Sequence, residues 1–351
     1  MELSLLTKYE RQDARAVLQR LDRRGILGVA NLEATLSHFA RAMLREDVVV
    51  NLSEAGIPSP NGFYEMLGQH DAVISGSFVP SFLDPELARS WTTEEVSVGD
   101  VDVYIGKGKL DIVLNALADL PGADMEILER HAAPPPTVNE DGTVSNGGRD
   151  LVFYTNTAIH AMASVRFMDE NGKVGYMDVV ESKSASAFLP IVRFNLTHLR
   201  AGLTFDGYVN MHPTWSEGRR TFASEHVQTP PTDALNDLMA QGLRYTGWLD
   251  KYRRRGYDVR DEGVVKGIKQ HECFSSVDCP LTTRNTCDEG VQYIAYSERG
   301  AIEACSGPPR WLRDPVVYWR HGGRCEWGGE ASATAKVYDS EGVSDDPSDG
   351  N

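Results

Sequence analysis

The sequence predicts an α+β protein in which a mixed β-sheet is flanked by helices, with helical additions at both ends of the chain. Three observations predict this class. Apolar residues recur at helical spacing within residues 4–48, and short runs of β-branched and aromatic residues follow from residue 72 onward. Clusters of glycine and proline separate these two kinds of segment.

The N-terminal segment predicts two helices. We expect Gly25 or Gly28 to end the first, because glycine commonly follows the last helical residue. Asn31 is a suitable N-cap for a second helix over Leu32–Leu44, where the apolar residues keep helical spacing. The glycine and prolines of Asn51–Asn61 then predict a loop.

The stretch from Ala72 to Ile105 holds the most informative pattern. An apolar run ends in Ser75-Gly76-Ser77, which predicts a strand followed by a turn of small residues. The next residues, Phe78 to Ala88, fit helices only in short pieces, because Pro80 and Pro85 interrupt them. The order predicted for this stretch is therefore strand, turn, helix, strand.

Asp100 and Asp102 begin the second of these strands. Side chains alternate between the faces of a strand, so the two carboxylates share one face while Val101 and Val103 point into a core. Two negative charges at this spacing repel unless a cation lies between them, and carboxylate oxygens suit Mg²⁺. Gly76 and Ser77, at a helix start, offer backbone N–H groups and a hydroxyl to an anion such as phosphate.

Beyond this strand, Lys109–Leu120 predicts a helix, and Ala132–Arg149 predicts a long loop rich in proline, glycine and asparagine. The turn signal at residues 169–172 predicts a hairpin, with Tyr176–Val180 as its second arm. Asp178 would then lie in the middle of a strand among apolar neighbours. An unpaired carboxylate is unfavourable there, whereas a bound metal would account for it.

These residues resemble the signature of the nucleotidyltransferase superfamily of the DNA polymerase β type. That signature has Gly-Ser at a helix start, Asp-x-Asp on the next strand and a third carboxylate on a later strand, matched here by Gly76-Ser77, Asp100, Asp102 and Asp178. A looser likeness is to uncharacterised fungal proteins with a nucleotidyltransferase fold. The resemblance covers roughly residues 63–220. Trp91–Val98 would be an extra loop, since the compact members have a shorter connection between Ser77 and Asp100.

The resemblance implies Mg²⁺-dependent transfer of a nucleotidyl group from a nucleoside triphosphate (NTP) to the hydroxyl of an unknown acceptor, by a two-metal mechanism. It implies that Asp100 and Asp102 bridge two Mg²⁺ ions, that Asp178 holds the catalytic ion, and that Gly76 and Ser77 hold the β- and γ-phosphates. The alternative is a catalytically silent member that binds a nucleotide, nucleic acid or protein partner through the same cleft.

The organisation that follows has four parts, of which the second is the nucleotidyltransferase-like core. They are a helical segment at residues 1–61, the core at 62–220, a helical and cysteine-containing region at 221–338, and a disordered acidic tail at 339–351. In the third part, Asp233–Tyr252 predicts a helix that runs into a basic cluster at Arg253-Arg254-Arg255. That cluster fits a groove for phosphates or a solvated helix end, and the second interpretation is favoured.

The five cysteines all lie in the last third of the chain, an odd number that argues against a framework of disulfides. Free buried cysteines are the default expectation. A zinc site is the less favoured alternative, and its candidate ligands are His271, Cys273, Cys279, Cys287, Cys305 and Cys325. His198 and His212 follow the Asp178 strand and could face the site, although ordinary core or surface histidines are the favoured interpretation.

A formal net charge of −16 disfavours nonspecific binding to nucleic acid, which depends on neutralising phosphates. No apolar stretch approaches the length that spans a bilayer, so no membrane partner is expected. The charged N-terminus lacks the apolar run of a signal peptide, and we therefore expect an intracellular protein, cytoplasmic or nuclear.

Overall fold

A computed structural model describes most of the chain between residues 14 and 338. The described ranges are 14–31, 36–89, 91, 100–132, 137–138, 144–145, 158–169, 172–224, 249–260, 264–265, 270–297 and 309–338. Several predicted features lie outside these residues, namely most of the loop of residues 132–149, the strand-like run at 151–154, most of the helix of residues 233–252, the extra loop at 92–98 and the acidic tail.

Helices surround the sheet and are numbered here in chain order. They are α1 (residues 14–18), α2 (Arg23–Ala30), α3 (Ser37–Glu54), α4 (Pro60–His70), α5 (Phe78–Leu83), α6 (Pro85–Arg89), α7 (Leu110–Ala118), α8 (Phe188–Val192), α9 (residues 249–254) and α10 (Arg310–Arg313). Turns of 3₁₀ helix lie at Thr197–Leu199 and Thr214–Arg219. Among the described residues, no helix combines the length and the apolar character needed to cross a bilayer.

The central sheet has eight strands in the order β14-β9-β8-β1-β2-β7-β6-β3. Its strands are β1 (Val73–Ser75), β2 (Asp100–Ile105), β3 (Asp124–Ala132), β6 (Ile159–Met168), β7 (Val174–Ser182), β8 (Ala201–Leu203), β9 (Gly207–Asn210) and β14 (Gln292–Ala295). β2 and β7 are parallel, and the other neighbouring pairs of this sheet are antiparallel. The α+β class with a mixed sheet and flanking helices is therefore confirmed.

Smaller strands lie outside the central sheet. They are β4 (Thr137–Val138), β5 (Val144–Ser145), β10 (Arg220–Phe222), β11 (Asp258–Arg260), β12 (Val264–Val265), β13 (Arg284–Asn285), β15 (Val316–Arg320), β16 (Gly323–Cys325), β17 (Glu330–Ala331) and β18 (Thr334–Tyr338). They form the sheets β4-β5, β10-β11, β12-β16-β17 and β13-β15-β18.

Each face of the central sheet is covered by its own apolar cluster. Val101 and Val103 of β2 pack with residues of the N-terminal helices, such as Leu44 and Leu52 of α3. Tyr104 of the same strand belongs to the cluster on the other face, which includes residues of α8, β15 and β18. The alternation predicted for β2 is thus confirmed, and the carboxylates of Asp100 and Asp102 lie on the face of Tyr104.

The predicted boundaries of the N-terminal helices are wrong. Gly25 and Gly28 lie inside α2, and Asn31 is the C-cap of α2. The next described helix, α3, runs to Glu54 and so takes in the start of the predicted loop at Asn51–Asn61. Burial of Ile26, Leu27 and Ala30 in the core outweighs the cost of about 1 kcal/mol that each helical glycine brings.

The elements predicted around the Asp-x-Asp strand agree with the structure better than the predicted boundaries of the N-terminal helices do. Residues 78–89 form two short helices, α5 and α6, as predicted, and Pro85 is the first residue of α6. Pro80, in contrast, lies inside α5 and does not interrupt it. The helix predicted at Lys109–Leu120 is α7. The hairpin predicted at residues 169–172 joins β6 to β7, and the backbone N–H of Gly172 donates to the Asp169 carbonyl oxygen.

The C-terminal region differs from its prediction as a helical addition. Within the described residues after Ser224, strands outnumber helices, and only α9 and α10 are helical. β14 also pairs with β9, so this region supplies an edge strand to the central sheet. Sequence analysis missed these strands because they are short and find their partners far away along the chain, which leaves little local periodicity.

Candidate functional site

A tight turn links β1 to α5 at the predicted Gly-Ser pair. Gly76 has φ +64°, a left-handed backbone conformation that residues with a side chain rarely adopt. A Cβ atom placed on Gly76 would overlap Oδ2 of Asp102. Both the backbone conformation and the closeness of this carboxylate therefore require glycine at this position.

Two of the three predicted carboxylates are direct neighbours across the sheet. Asp102 of β2 lies opposite Asp178 of β7 in the parallel register. Asp100 lies two residues before Asp102 on the same face of β2. The structure thus brings together three acidic residues that are partly exposed and lie next to the turn at Gly76.

The row of polar side chains continues beyond Asp178. Ser164 of β6 pairs with Asp178, and its hydroxyl donates to Oδ1 of that carboxylate at 2.6 Å. Glu129 of β3 pairs in turn with Ser164. Sequence analysis missed both residues, because this row exists only through the register of four strands.

Burial and neighbouring negative charge raise the pKa of Asp102 and of Asp178. Burial, followed by the charges of Asp178 and Asp100, raises the pKa of Asp102 to about 8. Burial also raises the pKa of Asp178, to which the charges of Asp100 and Glu129 add, while the hydrogen bond from Ser164 opposes the shift. Negative charge is therefore concentrated in this row, and a bound cation would relieve the repulsion.

Two groups partly offset this charge at Asp102. The backbone N–H of Ser77 donates a hydrogen bond to its carboxylate, and the ammonium group of Lys251 lies near enough to lower its pKa. Lys251 is in α9, directly before the predicted basic cluster. The sequence therefore carried a signal for positive charge, although the cation that lowers the pKa of Asp102 is Lys251 and not one of the three arginines.

The basic cluster itself is not a solvated helix end throughout. Arg255 is buried, and its guanidinium lies over the ring of Trp91 at 4.3 Å and over Tyr252 at 5.3 Å. Arg253, in contrast, forms a half-exposed ion pair with Asp250. The favoured interpretation is thus wrong for Arg255, because aromatic rings cover its charge.

His198 and His212 are both buried, so of the two favoured placements, core or surface, the structure shows the core. Nδ1 of His198 lies 2.9 Å from the hydroxyl of Thr221, and its ring stacks on Tyr257 with 4.2 Å between centroids. Burial lowers the pKa of His198 to about 3, helped by the charges of Arg255 and Arg24. His198 is therefore neutral at physiological pH.

A separate cavity of about 260 Å³ lies beside His198 and Tyr257. Asn210 and Arg24 add polar groups to its wall. Asp100, Asp102 and Asp178, which we call the acidic row, do not line this cavity. The cavity is therefore distinct from the acidic row.

Four of the predicted cysteine and histidine ligands converge in the C-terminal region. The ligand atoms of His271, Cys273, Cys279 and Cys325 all lie within 4.8 Å of one another, and this group can hold a metal ion. Cys287 lies outside this group, and its thiol donates a hydrogen bond to the carbonyl oxygen of Leu312 at 3.2 Å. Cys305 lies outside the described residues.

Comparisons with known proteins add no assignment to this geometry. No protein-family model matches the chain, and neither the curated proteins nor the solved structures give a match.

Proposed function

We propose that the protein transfers a nucleotidyl group from an NTP to an acceptor hydroxyl, with two Mg²⁺ ions held by Asp100, Asp102 and Asp178. The observation that supports this most is the lateral pairing of Asp102 with Asp178, with Asp100 on the same strand face. Three carboxylates on one face, next to a glycine-serine turn, match what the resemblance to nucleotidyltransferases implies.

The electrostatics of the acidic row favour hard divalent cations. Burial and the charges of Asp178 and Asp100 raise the pKa of Asp102, and the ammonium group of Lys251 offsets this shift only in part. Mg²⁺ prefers one or two carboxylate oxygens and completes its coordination with water and substrate phosphates. Magnesium bound here would polarise the α-phosphate and stabilise the charge of the leaving pyrophosphate.

The residues of the row have distinct roles in this proposal. Asp100 and Asp102 are assigned to both ions. Asp178 is assigned to the ion that meets the acceptor hydroxyl, and the hydrogen bond from Ser164 holds its carboxylate in place. The acceptor hydroxyl releases its proton to solvent as its oxygen forms a bond to the α-phosphorus, the bond from this phosphorus to the bridging oxygen of the β-phosphate breaks, and pyrophosphate leaves.

Gly76 and Ser77 are assigned to the β- and γ-phosphates. α5 has only six residues, so its dipole contributes little, and the hydroxyl and N–H of Ser77 are the donors of interest. The N–H of Ser77 now binds the carboxylate of Asp102. Phosphate binding therefore requires Asp102 to turn from this N–H towards a cation, and Lys251 adds positive charge on the same side.

The test is release of pyrophosphate from each of the four common NTPs in the presence of a cell extract that supplies acceptor hydroxyls, measured with and without Mg²⁺ for wild type, Asp102→Asn and Asp178→Asn. Wild type should release pyrophosphate only with the metal. The rate of pyrophosphate release should fall about a thousandfold or more in each variant, because a missing ligand charge removes several kcal/mol of transition-state stabilisation. Asp119→Asn, at an exposed position after α7, is the matched control and should keep wild-type activity.

Calorimetric titration with Mg²⁺ and a non-hydrolysable NTP separates this proposal from the silent alternative. Binding that needs Asp102, without any turnover, would support a protein that only binds nucleotides. Absence of both turnover and Mg²⁺-dependent binding would overturn the proposal.

A further inference from the structure

The cysteine-histidine cluster lies in a part of the chain that has little regular secondary structure and only a small apolar core. Residues 270–283 form neither helix nor strand, only turns and bends. The local apolar cluster consists of Cys279, Leu281 and Cys325, with Cys273 and Ala331 packed against it. A core this small stabilises a segment poorly, and short segments of this kind are commonly fixed by a metal or a disulfide.

The geometry of the four side chains fits a tetrahedral metal ion. Zinc–sulfur bonds of about 2.3 Å and zinc–nitrogen bonds of about 2.0–2.1 Å place neighbouring ligand atoms of a tetrahedron roughly 3.4–3.8 Å apart. Nε2 of His271 lies 3.4 Å from Sγ of Cys325 and 4.0 Å from Sγ of Cys273. The ligand atoms thus already surround a space of the right size.

Backbone hydrogen bonds fix the turns that carry two of the cysteines. The N–H of Cys279 donates to the carbonyl oxygen of Ser276 at 2.9 Å, and the N–H of Cys325 donates to the carbonyl oxygen of Gly329 at 3.3 Å. The backbone at both cysteines is thus already held in the turn that presents its sulfur to the cluster.

We propose that His271, Cys273, Cys279 and Cys325 bind one structural Zn²⁺ ion. Three thiolates and one imidazole form a Cys₃His set, which is an established structural zinc site. Four protein ligands fill a tetrahedral shell, so no position stays open for water or substrate. Binding releases the thiol protons to solvent, and the hydrogen bond from Cys273 Sγ to the Gly328 carbonyl oxygen is replaced by a metal–sulfur bond.

The ion joins two segments that are distant in sequence. His271, Cys273 and Cys279 come from the irregular segment, whereas Cys325 ends β16 and begins the turn to β17. The N–H of Gly322 also donates to the carbonyl oxygen of Pro280 at 3.0 Å, which aligns the same two segments. The zinc therefore fastens the irregular segment to the β16–β17 hairpin.

The experiment is elemental analysis of full-length protein purified without chelators, followed by replacement of the native metal with Co²⁺. Wild type should contain about one zinc per chain, and the cobalt form should show the intense visible bands and the sulfur-to-metal charge transfer of a tetrahedral thiolate site. A strong chelator should lower the melting temperature of the protein.

Variants define the ligands. Cys325→Ser and Cys279→Ser should lose most of the zinc, whereas Cys287→Ser should keep it because its sulfur lies outside the cluster. Should the ligand variants fail to fold, the cobalt spectrum of wild type still decides the matter. Octahedral cobalt bands, a metal-free protein, or disulfides among Cys273, Cys279 and Cys325 in mass spectra would overturn the proposal.

Discussion

Asp102 and Asp178 lie side by side on the parallel strands β2 and β7, although 75 residues separate them in the chain, as their numbers in the sequence show. Asp102 also lies against Gly76 and accepts a hydrogen bond from the N–H of Ser77. One side chain thus links the acidic row to the glycine-serine turn.

The stability of the metal-free protein should depend on Asp102. Because burial and its acidic neighbours raise the pKa of Asp102 to about 8, the native state keeps a proton that the unfolded chain loses near pH 4. Stability therefore falls as pH rises through this window. Asp102→Asn removes the ionisation, so at pH 8 the metal-free variant should be more stable than wild type by about 1–3 kcal/mol.

Urea unfolding at pH 5 and pH 8 in the presence of a chelator measures this effect. The exposed Asp119→Asn variant controls for the change in net charge. Equal stabilities of wild type and Asp102→Asn at both pH values would contradict the charge repulsion inferred for the row.

Gly76→Ala should lower the free energy of unfolding more than Gly108→Ala does. Both glycines have positive φ, +64° and +79°, so alanine adds strain of about 1–2 kcal/mol at either position. At Gly108 a Cβ meets no atom within 4 Å, whereas at Gly76 it overlaps the carboxylate of Asp102. Gly76→Ala should therefore lose additional stability and weaken Mg²⁺ binding. Chemical denaturation and calorimetry compare the two variants, and equal losses would mean that Asp102 does not lie against Gly76.

His198 should contribute to the sensitivity of the protein to acid. Burial lowers its pKa to about 3, while the unfolded chain binds a proton near the ordinary value of 6.5. Stability is therefore lost as pH falls through this window, by about 1.4 kcal/mol per pH unit for this one group.

His198→Asn should be less stable at neutral pH, because it loses the stacking on Tyr257, but its stability should fall less steeply between pH 6 and pH 4. Urea unfolding at several pH values gives the slope. His160→Asn, whose ring is exposed to solvent, is the control. An unchanged slope for His198→Asn would show that the ring takes up its proton equally in the folded and unfolded states.

The ion pair of Arg284 and Asp288 should contribute far more to the stability of the folded protein than an exposed ion pair does. The two side chains form two hydrogen bonds of 2.6 Å, and the Arg284 side chain is 5% exposed. Asp288→Ala leaves a buried guanidinium without its carboxylate, which should cost about 3–5 kcal/mol.

The matched control is Asp258→Ala. Asp258 pairs with Arg260 at 2.7 Å, but both side chains are about half exposed, and such pairs contribute about 0–1 kcal/mol. Thermal and chemical unfolding of the two variants measure the difference. Similar losses would mean that solvent reaches Arg284 in the folded protein.

The local elements of the candidate site could be predicted from the sequence. The alternation of Asp100, Val101, Asp102 and Val103 determines which side chains share a strand face, and the small residues at Gly76 determine a turn. Both signals lie within a few neighbouring residues. For this reason the strand β2, the turn and the β6–β7 hairpin agree with prediction, while their chemical role remains a proposal.

Other features depend on contacts between distant residues. The register that sets Asp102 beside Asp178, the approach of Lys251, and the burial of Arg255 under Trp91 arise from packing of elements far apart in the chain. The N-terminal helix boundaries were mispredicted for the same reason, because core burial outweighed the signals of Gly25, Gly28 and Asn31.

The sequence by itself thus determined the α+β class, the Asp-x-Asp strand with its turn, and a set of candidate metal ligands. Only the tertiary structure decided which acidic side chains meet and which four of the cysteines and histidines form one cluster. The physical reason is that periodicity and turn propensity are properties of short segments. Strand register and ligand convergence, in contrast, are set by the packing of the whole chain.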